Sequence, residues 1–427
     1  MSGRDLAAWL RHIESVHFRS IDLSLDRVRR VYHSLKLRLN CRIVIVAGTN
    51  GKGSTVSYLE SIYTTQGYRT GAYTSPHLVS YNERIRVAGE SVDDAQLLET
   101  FERIEQVRGD IPLTYFEFGT LAALVILDNQ QVDIALLEIG MGGRLDAVNI
   151  VDPDVSVVTE IGLDHQAWLG HDRETIAREK AGVMRYGGHV VSSGIRPPAN
   201  LAGLASTRHA NLLQLGEQFG WEATSQSWIF TSADPLATEI SGLPLPREGS
   251  HQLNNAAGAL MVVHLLQQSL PVDTQSMTVG IKQAIRPGRL QLLQEQPPVI
   301  LDVSHNPDGI EILAGYLERE PVAGRNIAVF SMLEDKDIDD VVRLIGQHFD
   351  GWFIAPLDNP RAASTDLLSR CISRHSQATV RQCPSIATAA DRAIAEAQSQ
   401  DRVVAFGSFY AAGDILQRFG IVPYRSS

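Results

Sequence analysis

The stretch from Arg42 to Thr55, which reads RIVIVAGTNGKGST, combines residue types that suit phosphate binding. Residues 43–46 form an apolar run typical of a buried parallel strand. The glycines that follow allow a tight turn that brings backbone N–H groups against an anion. A helix predicted over 54–66 would direct its positive N-terminal end at the same anion. The order of strand, glycines, lysine, hydroxyl and helix therefore predicts a phosphate cradle.

The loop departs from the strict nucleotide-loop pattern, in which Gly-Lys is followed at once by Ser or Thr. Here Gly53 follows Lys52, so the hydroxyls are those of Ser54 and Thr55. Lys52 supplies a full positive charge, and either hydroxyl can approach Mg²⁺. The alternative is a glycine-rich strand-to-helix turn without a ligand, which is common in α/β proteins.

Polar side chains also lie at or after the ends of further apolar, strand-length runs, namely Ser75, Glu138 and His165. In an open α/β sheet, ligands bind beyond the carboxyl ends of the strands, so these side chains are expected near the phosphate cradle. There the carboxylate of Glu138 suits Mg²⁺. Two of them have ordinary alternatives, because Ser75 could cap a turn before Pro76 and a lone histidine is often a satisfied hydrogen-bonding residue.

The glycines after Glu138, in GMGGRLD (140–146), imitate a dinucleotide-binding fingerprint. Leu145 occupies the position of the third glycine, however, and no clear helix opens there. We interpret the match as accidental, which disfavours a dinucleotide dehydrogenase.

Further candidate residues lie near the domain junction and in a charged helical stretch. Asp302 and His305 follow a predicted strand and could face across such a cleft, with Asn306 as a helix cap. Arg289 could neutralise phosphate charge or lie at the surface. Lys180 lies in a charged helical stretch, where spacing alone indicates a solvated lysine.

The composition indicates a globular chain of ordinary polarity. It has 427 residues, of which 44% are hydrophobic and 20% charged, with a net charge of −11. This charge argues against nucleic-acid binding, and no apolar run reaches the ~18 residues that a membrane-spanning helix needs. The N-terminus lacks the apolar segment of a signal peptide, and 3 scattered cysteines form neither a disulfide framework nor a metal cluster. We therefore expect a cytoplasmic protein.

Apolar strands alternate with helices, which predicts an α/β fold whose parallel sheet is covered on both faces. Strands are predicted at 43–46, 71–74, 134–139, 155–161, 189–192, 228–230, 299–303, 327–330, 352–355, 379–382 and 403–406. Helices are predicted at 54–66, 93–106, 117–128, 175–184, 251–270, 307–320, 337–348, 364–374, 385–398 and 411–418, and within 1–40 with a break at 19–24.

Prolines and glycine near 286–298 interrupt this alternation, which indicates a domain junction. We expect an N-terminal domain over 1–286, a linker over 287–297 and a smaller, doubly wound C-terminal domain over 298–427. The region 196–250 is less regular than the rest.

Together these stretches resemble the bacterial dihydrofolate synthase/folylpolyglutamate synthase family of the Mur ligase superfamily. The signatures span nearly the whole chain in the family's order, which is more specific than any single motif. They are AGTNGKGST (47–55), TSPHL (74–78), ERIRV (83–87), LTYFEFGTLAAL (113–124), LEIGMGGRLDAVNI (137–150), LDHQAWLG (163–170), REKAGVMR (178–185), HQLNNAAGAL (251–260), PGRLQ (287–291), LDVSHNP (301–307) and FGSFYAAGDIL (406–416).

The resemblance implies a Mur-ligase-like arrangement, in which an N-terminal P-loop ATPase domain and a C-terminal Rossmann-like domain enclose the active site. By motif match, ATP would be bound by Thr49, Asn50, Gly51, Lys52, Gly53, Ser54, Asn255, Arg289 and Asp302. Two Mg²⁺ ions would be served by Ser54, Ser75, Glu138 and His165, with a monovalent cation as a further cofactor. The implied catalytic residues are Lys52, Lys180 and His305, and Lys180 matches the family's carbamylated lysine.

The resemblance also implies the substrates. The pterin would be held by Leu23, Ser24, Leu25, Thr114, Tyr115, Phe116, Glu117, Leu145, Asp146 and Ala147. Phe116 and Leu145 have an ordinary alternative as core residues. The C-terminal domain, with His305 and Ser408, would receive glutamate.

The implied reaction is ATP-dependent addition of L-glutamate to dihydropteroate, giving dihydrofolate, and to the glutamate tail of tetrahydrofolate. A carboxylate is a poor acyl donor, so it first takes the γ-phosphoryl group of ATP, and the amine of glutamate then displaces phosphate. Closure of the C-terminal domain about Pro287-Gly288 would exclude water. A monomer is implied, without nucleic-acid or membrane partners.

Four alternatives stay open from sequence. A dinucleotide dehydrogenase, based on residues 140–143, would bind NAD without ATP or Mg²⁺. A Mur-type cell-wall peptide ligase would use the same ATP chemistry, although TSPHL and LTYFEFGT weigh against it. A synthase with folylpolyglutamate activity alone would accept only the reduced folate. A non-catalytic nucleotide switch would bind ATP without releasing ADP.

Overall fold

The structure, a computed structural model, describes residues 4–17, 22–233, 238–246 and 249–425. Its N-terminal part contains a central sheet made of β1 (Arg42–Ala47), β2 (Thr70–Tyr73), β3 (Ile85–Val87), β4 (Glu90–Ser91), β5 (Ile134–Glu138), β6 (Val155–Val158), β7 (His189–Ser192) and β8 (Asn211–Gln214). A small antiparallel sheet follows, made of β9 (Phe219–Ala223), β10 (Ser227–Ser232) and β11 (Thr238–Pro244). The helices of this part are α1 (Leu6–Val16), α2 (Asp26–Leu35), α3 (Lys52–Gln66), α4 (Asp94–Arg108), α5 (Tyr115–Asn129), α6 (Gln166–Leu169), α7 (Arg173–Lys180), α8 (Leu201–Ser206), α9 (Ser250–Leu266) and α10 (Thr274–Gln283).

The C-terminal part is a second sheet with its own helices. Its strands are β12 (Gln291–Glu295), β13 (Pro298–Leu301), β14 (Asn326–Phe330), β15 (Gly351–Ile354), β16 (Thr379–Gln382) and β17 (Arg402–Phe406). Its helices are α11 (Pro307–Arg319), α12 (Ile338–Ile345), α13 (Thr365–His375), α14 (Ile386–Glu396) and α15 (Phe409–Arg418). No helix in the described part of the chain is long and apolar enough to cross a membrane.

The central sheet is organised around β1. Its strand order is β4-β3-β2-β5-β1-β6-β7-β8, parallel from β2 to β8, with β3 and β4 added antiparallel at one edge. After β1 the chain crosses to β2 on one side and later returns to β6 on the other. Ligands of doubly wound sheets bind at the carboxyl end of the strands where the winding reverses, so the loop after β1 lies at the expected place.

Successive side chains of β1 enter different cores. Ile43 and Ile45 pack with α1, α2, α4 and α5, whereas Val44 and Val46 pack with α3, α9 and α10. Both faces of the sheet are therefore covered, which is why the strand reads as an unbroken apolar run without polar alternation. The predicted α/β architecture with a mostly parallel sheet is confirmed.

The second sheet has the order β12-β13-β17-β14-β15-β16 and is parallel from β13 to β16. β12 pairs antiparallel with β13, so residues inside the predicted linker form an edge strand of this sheet. The turn at Gln296-Pro297 brings the two strands together. The domain bounds themselves stay a prediction.

Several elements differ from the predicted bounds. α3 begins at Lys52, because Gly51 takes the left-handed conformation that ends the loop. The strand predicted over 155–161 ends at Val158, since the backbone carbonyl of Glu160 instead accepts a hydrogen bond from the amide of Thr49 (2.8 Å). The irregular region contains the small antiparallel sheet, and residues 19–21 of the predicted break lie outside the described residues.

The two parts of the chain pack through an apolar contact beside the junction. Leu78 and Val79, in the loop after β2, join the core formed by α14 and α15 of the C-terminal part. A Cβ atom on Gly413 of α15 would lie 2.1 Å from the carbonyl oxygen of Leu78. Only a residue without a side chain allows this approach.

We expect Gly413→Ala to destabilise the protein. Overpacking costs about 1–3 kcal/mol, and the gain of alanine over glycine within a helix returns only about 0.5–1 kcal/mol. The free energy of unfolding from denaturant titration checks this result. Gly203→Ala is the control, because Gly203 lies in α8 with open space around it and should be neutral or stabilising. Equal effects of the two substitutions would contradict the close contact.

Candidate active site

The phosphate-binding loop, residues 48–53, connects β1 to α3. Gly48 and Gly51 have φ angles of 153° and 93°. A Cβ atom on Gly48 would lie 1.8 Å from the hydroxyl oxygen of Thr159, so the close approach also requires glycine there. Because α3 begins at Lys52, the unpaired N–H groups of its first turn lie at the loop and favour an anion.

Two lysines converge on this loop. The Nζ of Lys52 donates to the carbonyl oxygens of Gly48 and Thr49, both at 3.1 Å, and the Nζ of Lys180 donates to Gly48 at 2.7 Å. Lys180 is 3% exposed. Burial, and next the charge of Lys52, lower the pKa of Lys180 to about 7. The solvated lysine that spacing alone indicated is therefore wrong, and only the motif resemblance had pointed to this residue.

Glu138 ends β5 beside the phosphate-binding loop. It is buried, and its Oε2 accepts a hydrogen bond from the backbone N–H of Ser75 at 3.1 Å. Burial raises the pKa of Glu138, and the charge of Lys52 partly offsets this. Ser54, Ser75 and His165 line the same cavity, so the structure brings the predicted metal-binding residues together.

These donors fit a metal that is shared with phosphate. Within the described residues there is no group of three or more His, Cys, Asp or Glu side chains that could hold a metal by themselves. Mg²⁺ usually binds one or two carboxylates and takes its other ligands from phosphate and water, so one buried carboxylate with nearby hydroxyls is adequate. The side chain of His165 is 42% exposed, and metal coordination would require its neutral imidazole.

Polar side chains join the two parts across this cleft. Asp164 accepts from the Nζ of Lys336 at 2.6 Å and lies 3.6 Å from the Nε2 of His305. Burial alone would raise the pKa of Asp164, but the neighbouring His305 and Lys336 hold it below its usual range. The side-chain amides of Asn50 and Asn306 also pair, at 3.2 Å.

Sequence reasoning did not identify Lys336 or the role of Asp164. A usable signal exists for Lys336, because it lies beyond the carboxyl end of β14 in the second sheet. Its position after a strand end is the same signal that Ser75, Glu138 and His165 carry. The predicted cap role of Asn306 is confirmed, since its Oδ1 accepts from the amide of Gly309 at 2.9 Å.

A second cavity extends from the phosphate-binding loop towards the C-terminal part. Asn255 and Asp302 line it together with Ser54. Gln252, which was not predicted, connects Ser54 with Asn255. Its side chain donates a hydrogen bond to Ser54 and accepts one from Asn255. Asn254 instead accepts a hydrogen bond from the indole of Trp221 at 2.9 Å, so Asn255 is the one that reaches the loop.

The junction between the two parts supplies Arg289. Its guanidinium lies 5.5 Å from the ring centre of Phe409, and burial lowers its pKa. Asp302 accepts from the amides of Leu290 (2.9 Å) and Ser304 (2.8 Å). Asp302 therefore fixes the junction to the second sheet, besides lining the cavity.

The C-terminal side of the cleft carries His305 and Ser408. The Nδ1 of His305 lies 2.8 Å from the carbonyl oxygen of Val303, and its ring lies against Phe409. Ser408 is buried, and its hydroxyl caps α15 by accepting from the amide of Ala411 at 3.0 Å.

The residues predicted for pterin binding form a neighbouring cluster. Thr114 and Glu117 form a capping box at the start of α5, so both also have a structural role. Glu117 pairs with Arg27 of α2 at 3.2 Å. The ring of Phe116 leaves no space for a side chain at Gly140, which links this cluster to the cleft.

The remaining members of this cluster lie in two segments: residues 145–147 follow β5, and residues 23–25 precede α2. Asp146 accepts from the amides of Met141 and Val148, and burial raises its pKa to about 7. Leu25 and Ala147 are buried in the core, with Tyr115, Phe116 and Leu145 packed against it, while Leu23 and Ser24 are half-buried. Phe116 and Leu145 therefore pack against the core, as the alternative interpretation expected, but are only partly buried.

The dinucleotide interpretation is not supported by the structure. The loop 140–146 continues into a short 3₁₀ turn, Ala147–Ile150, and not into a helix whose N-terminus could bind a pyrophosphate. The resemblance of its glycines to a fingerprint is accidental.

Comparison with protein families and known proteins gives a consistent result. Residues 46–263 match the Mur ligase middle domain, and residues 288–409 match the Mur ligase glutamate ligase domain. The dihydrofolate synthase/folylpolyglutamate synthase of Escherichia coli is 41% identical over 413 residues, which cover 96% of this chain and 95% of that protein.

Solved structures are similar over the same range. The E. coli FolC protein in complex with DHPP and ADP has a TM-score of 0.92 and 41% identity, covering 97% of both chains. A bifunctional folylpolyglutamate synthase/dihydrofolate synthase with Mn, AMPPNP and L-glutamate bound has a TM-score of 0.90 and 40% identity, covering 98% of both chains.

We expect the contact between Asp164 and Lys336 to couple the two parts. Both side chains are largely buried, 13% and 12% exposed, so a double-mutant cycle with Asp164→Asn and Lys336→Met should give a coupling free energy of about 1–3 kcal/mol. The measurement is denaturant unfolding of the four proteins without ligands.

The neighbouring pair of Asp335 and Arg361 serves as the control. Its side chains are 47% and 56% exposed, and such pairs contribute at most about 1 kcal/mol. A coupling between Asp164 and Lys336 no larger than that of the control would show that they do not hold the two parts together.

Proposed function

Because the chain belongs to the dihydrofolate synthase/folylpolyglutamate synthase family of Mur ligases, we propose that it joins L-glutamate to folate precursors at the expense of ATP. The acceptors are dihydropteroate, which becomes dihydrofolate, and the glutamate tail of tetrahydrofolate. One observation carries the proposal: the phosphate-binding loop and the buried Glu138 share a cleft with Arg289 of the junction and His305 of the C-terminal part.

In this proposal ATP binds with its phosphates on the phosphate-binding loop. The loop amides and Lys52 offset the charge that builds up when the substrate carboxylate approaches the γ-phosphoryl group. The nucleoside extends along the second cavity past Asn255, where Arg289 and Asp302 contact it. The carboxylate takes the γ-phosphoryl group and becomes an acyl phosphate.

A divalent metal would be held by Glu138, Ser75, Ser54 and His165 together with the phosphates. When bound, Mg²⁺ neutralises phosphate charge and polarises the phosphoryl oxygens. We propose that two such divalent ions and one monovalent cation bind. The similar proteins with ADP, or with AMPPNP and Mn, support a nucleotide and a divalent metal in this family.

Lys180 is proposed to be carbamylated. Two ammonium groups cannot comfortably share the carbonyl of Gly48, and the lowered pKa of Lys180 makes the neutral amine available near pH 7. Its nitrogen can then add to CO₂, losing a proton and gaining a carboxylate. The change replaces a cation beside Lys52 with an anion suited to a metal.

The pterin is proposed to lie among the cluster around Phe116 and Asp146. A pterin ring presents N–H groups along one edge, and the buried carboxyl of Asp146 is an acceptor for them when ionised. Glutamate is proposed to bind on the C-terminal side, near His305 and Ser408. Its amine then attacks the acyl phosphate and displaces phosphate.

A Mur-type cell-wall peptide ligase is disfavoured, because the relatives compared above carry the folate-enzyme name. A synthase with folylpolyglutamate activity alone differs only in rejecting dihydropteroate. The monomeric state, the cytoplasmic location and the lack of nucleic-acid partners stay predictions.

We expect Lys52→Ala to abolish turnover while the fold is retained. Loss of one preorganised charge at a transferring phosphoryl group typically costs about 10²–10³ in kcat. ADP release is measured with glutamate and either dihydropteroate or tetrahydrofolate, which also reports whether both activities are present. Lys282→Ala, at an exposed position of α10, should keep normal turnover. Normal turnover of Lys52→Ala would refute the phosphate role.

We expect carbamylation of Lys180 to depend on pH. Since only the neutral amine reacts with CO₂, the carbamate should increase as the pH rises through about 7, the lowered pKa of Lys180. Equilibration with ¹³C-bicarbonate and ¹³C NMR detect it. The signal should vanish in Lys180→Arg and persist in Lys282→Arg. No carbamate signal at any pH would contradict the assignment.

A further inference from the structure

The last described residues, 421–425, run from the C-terminal part back onto the N-terminal part. Ile421 packs against the core beneath α15, and Pro423 is buried. The carbonyl oxygen of Tyr424 then accepts from the amide of Ser91 in β4 at 2.9 Å. The hydroxyl of Tyr424 donates to the carbonyl oxygen of Ile285 at 3.3 Å. This segment therefore forms a second connection between the two parts, separate from the junction before β12.

The ring of Tyr424 lies on a buried arginine. Arg86 is 1% exposed, and the centre of its guanidinium lies 4.1 Å from the ring centre of Tyr424. The edge of the same guanidinium donates to Glu60, to the hydroxyl of Thr74 at 2.7 Å and to the carbonyl of Glu83 at 2.8 Å. With its edge occupied, the guanidinium leaves a flat face for an aromatic ring.

Arg86 in turn connects elements that build the active site. Glu60 lies on α3, the helix that begins at the phosphate-binding loop. Thr74 directly precedes Ser75, whose amide donates to Glu138. Tyr424 is also one of the residues that line the cleft, as are Lys52 and Ser75. The contact between Tyr424 and Arg86 is therefore connected, through Thr74, to Ser75 and Glu138, which are proposed to hold the metal.

The backbone of Tyr424 indicates that its placement is imposed by these contacts. Its φ angle is 57°, in the left-handed region that residues with a Cβ atom rarely adopt. A tail that only rested on the surface would relax from this conformation. Strain of this kind persists where surrounding contacts hold it.

We propose that residues 421–425 are an interdomain strap and that Tyr424 is a positioning residue for the ligase reaction. The ring of Tyr424 fixes the position of Arg86, and Arg86 fixes the position of Thr74-Ser75 relative to α3. The strap also keeps the C-terminal part over the cleft. The proposal rests on the proposed function for its catalytic consequence. A released strap leaves the acyl phosphate open to water, so that ADP forms without ligation of glutamate.

The test compares Tyr424→Ala with Tyr424→Phe in the full chain. Phenylalanine keeps the ring over Arg86 and loses only the hydrogen bond to Ile285 at 3.3 Å, so its exchange rate and its ratio of ADP to product should lie much nearer the unchanged protein than those of Tyr424→Ala. Loss of the ring should speed hydrogen exchange at the Ser91 amide by about 5- to 30-fold, the equivalent of a cation–π contact. It should also raise the ratio of ADP released to glutamate joined above one, and raise the KM for glutamate. Tyr186→Ala, which removes a ring that is 79% exposed, is the control.

The two readouts separate the possible failures. Unchanged exchange at Ser91 in Tyr424→Ala overturns the strap. Faster exchange with an unchanged ratio of ADP to product overturns the positioning role. If the unchanged protein joins glutamate to neither acceptor, the proposed function fails, while the exchange result still decides the strap. Should Tyr424→Ala fail to fold, Tyr424→Leu preserves apolar volume without the ring and replaces it in both measurements.

Discussion

Two ammonium groups meet at one carbonyl oxygen, that of Gly48, and the rest of the site depends on this arrangement. Lys52 is brought there by the first turn of α3, and Lys180 by the end of α7 on the other side of β1. In a buried cleft their repulsion is strong, and it is relieved by a negative ligand or by loss of a proton from Lys180. The pocket is therefore built for anions before any ligand arrives.

The C-terminal part completes this pocket by contacts of two kinds. At the junction the contacts are apolar and close, as where the carbonyl of Leu78 lies against Gly413. Across the opening they are polar, between Asp164 and Lys336 and between Asn50 and Asn306. Polar partners can be exchanged for ligand groups at little cost, whereas a packed apolar contact cannot. We therefore expect ligand binding to change the contacts across the opening before those at the junction.

The fold was predictable from sequence to a large extent. The apolar run of β1 and the other strands required a sheet covered on both faces, and the glycines required a loop that approaches neighbouring groups closely. Element ends were less predictable, because they depend on partners distant in sequence. β6 ends early since Glu160 bonds to the phosphate-binding loop, and of the small antiparallel sheet only the strand at 228–230 was predicted.

For the candidate site, the sequence by itself determined the local chemistry: a phosphate-binding loop, a carboxylate and a histidine at strand ends, and a family resemblance that spans the chain. Those features depend on residues adjacent along the chain. Only the tertiary structure decided the rest, because proximity across the fold sets charge and partners. It buried Lys180 beside Lys52, brought Lys336 to Asp164, bonded Asn254 to Trp221 and laid Tyr424 on Arg86. Spacing carries no record of such contacts, since their physical cause is packing between segments far apart in the chain.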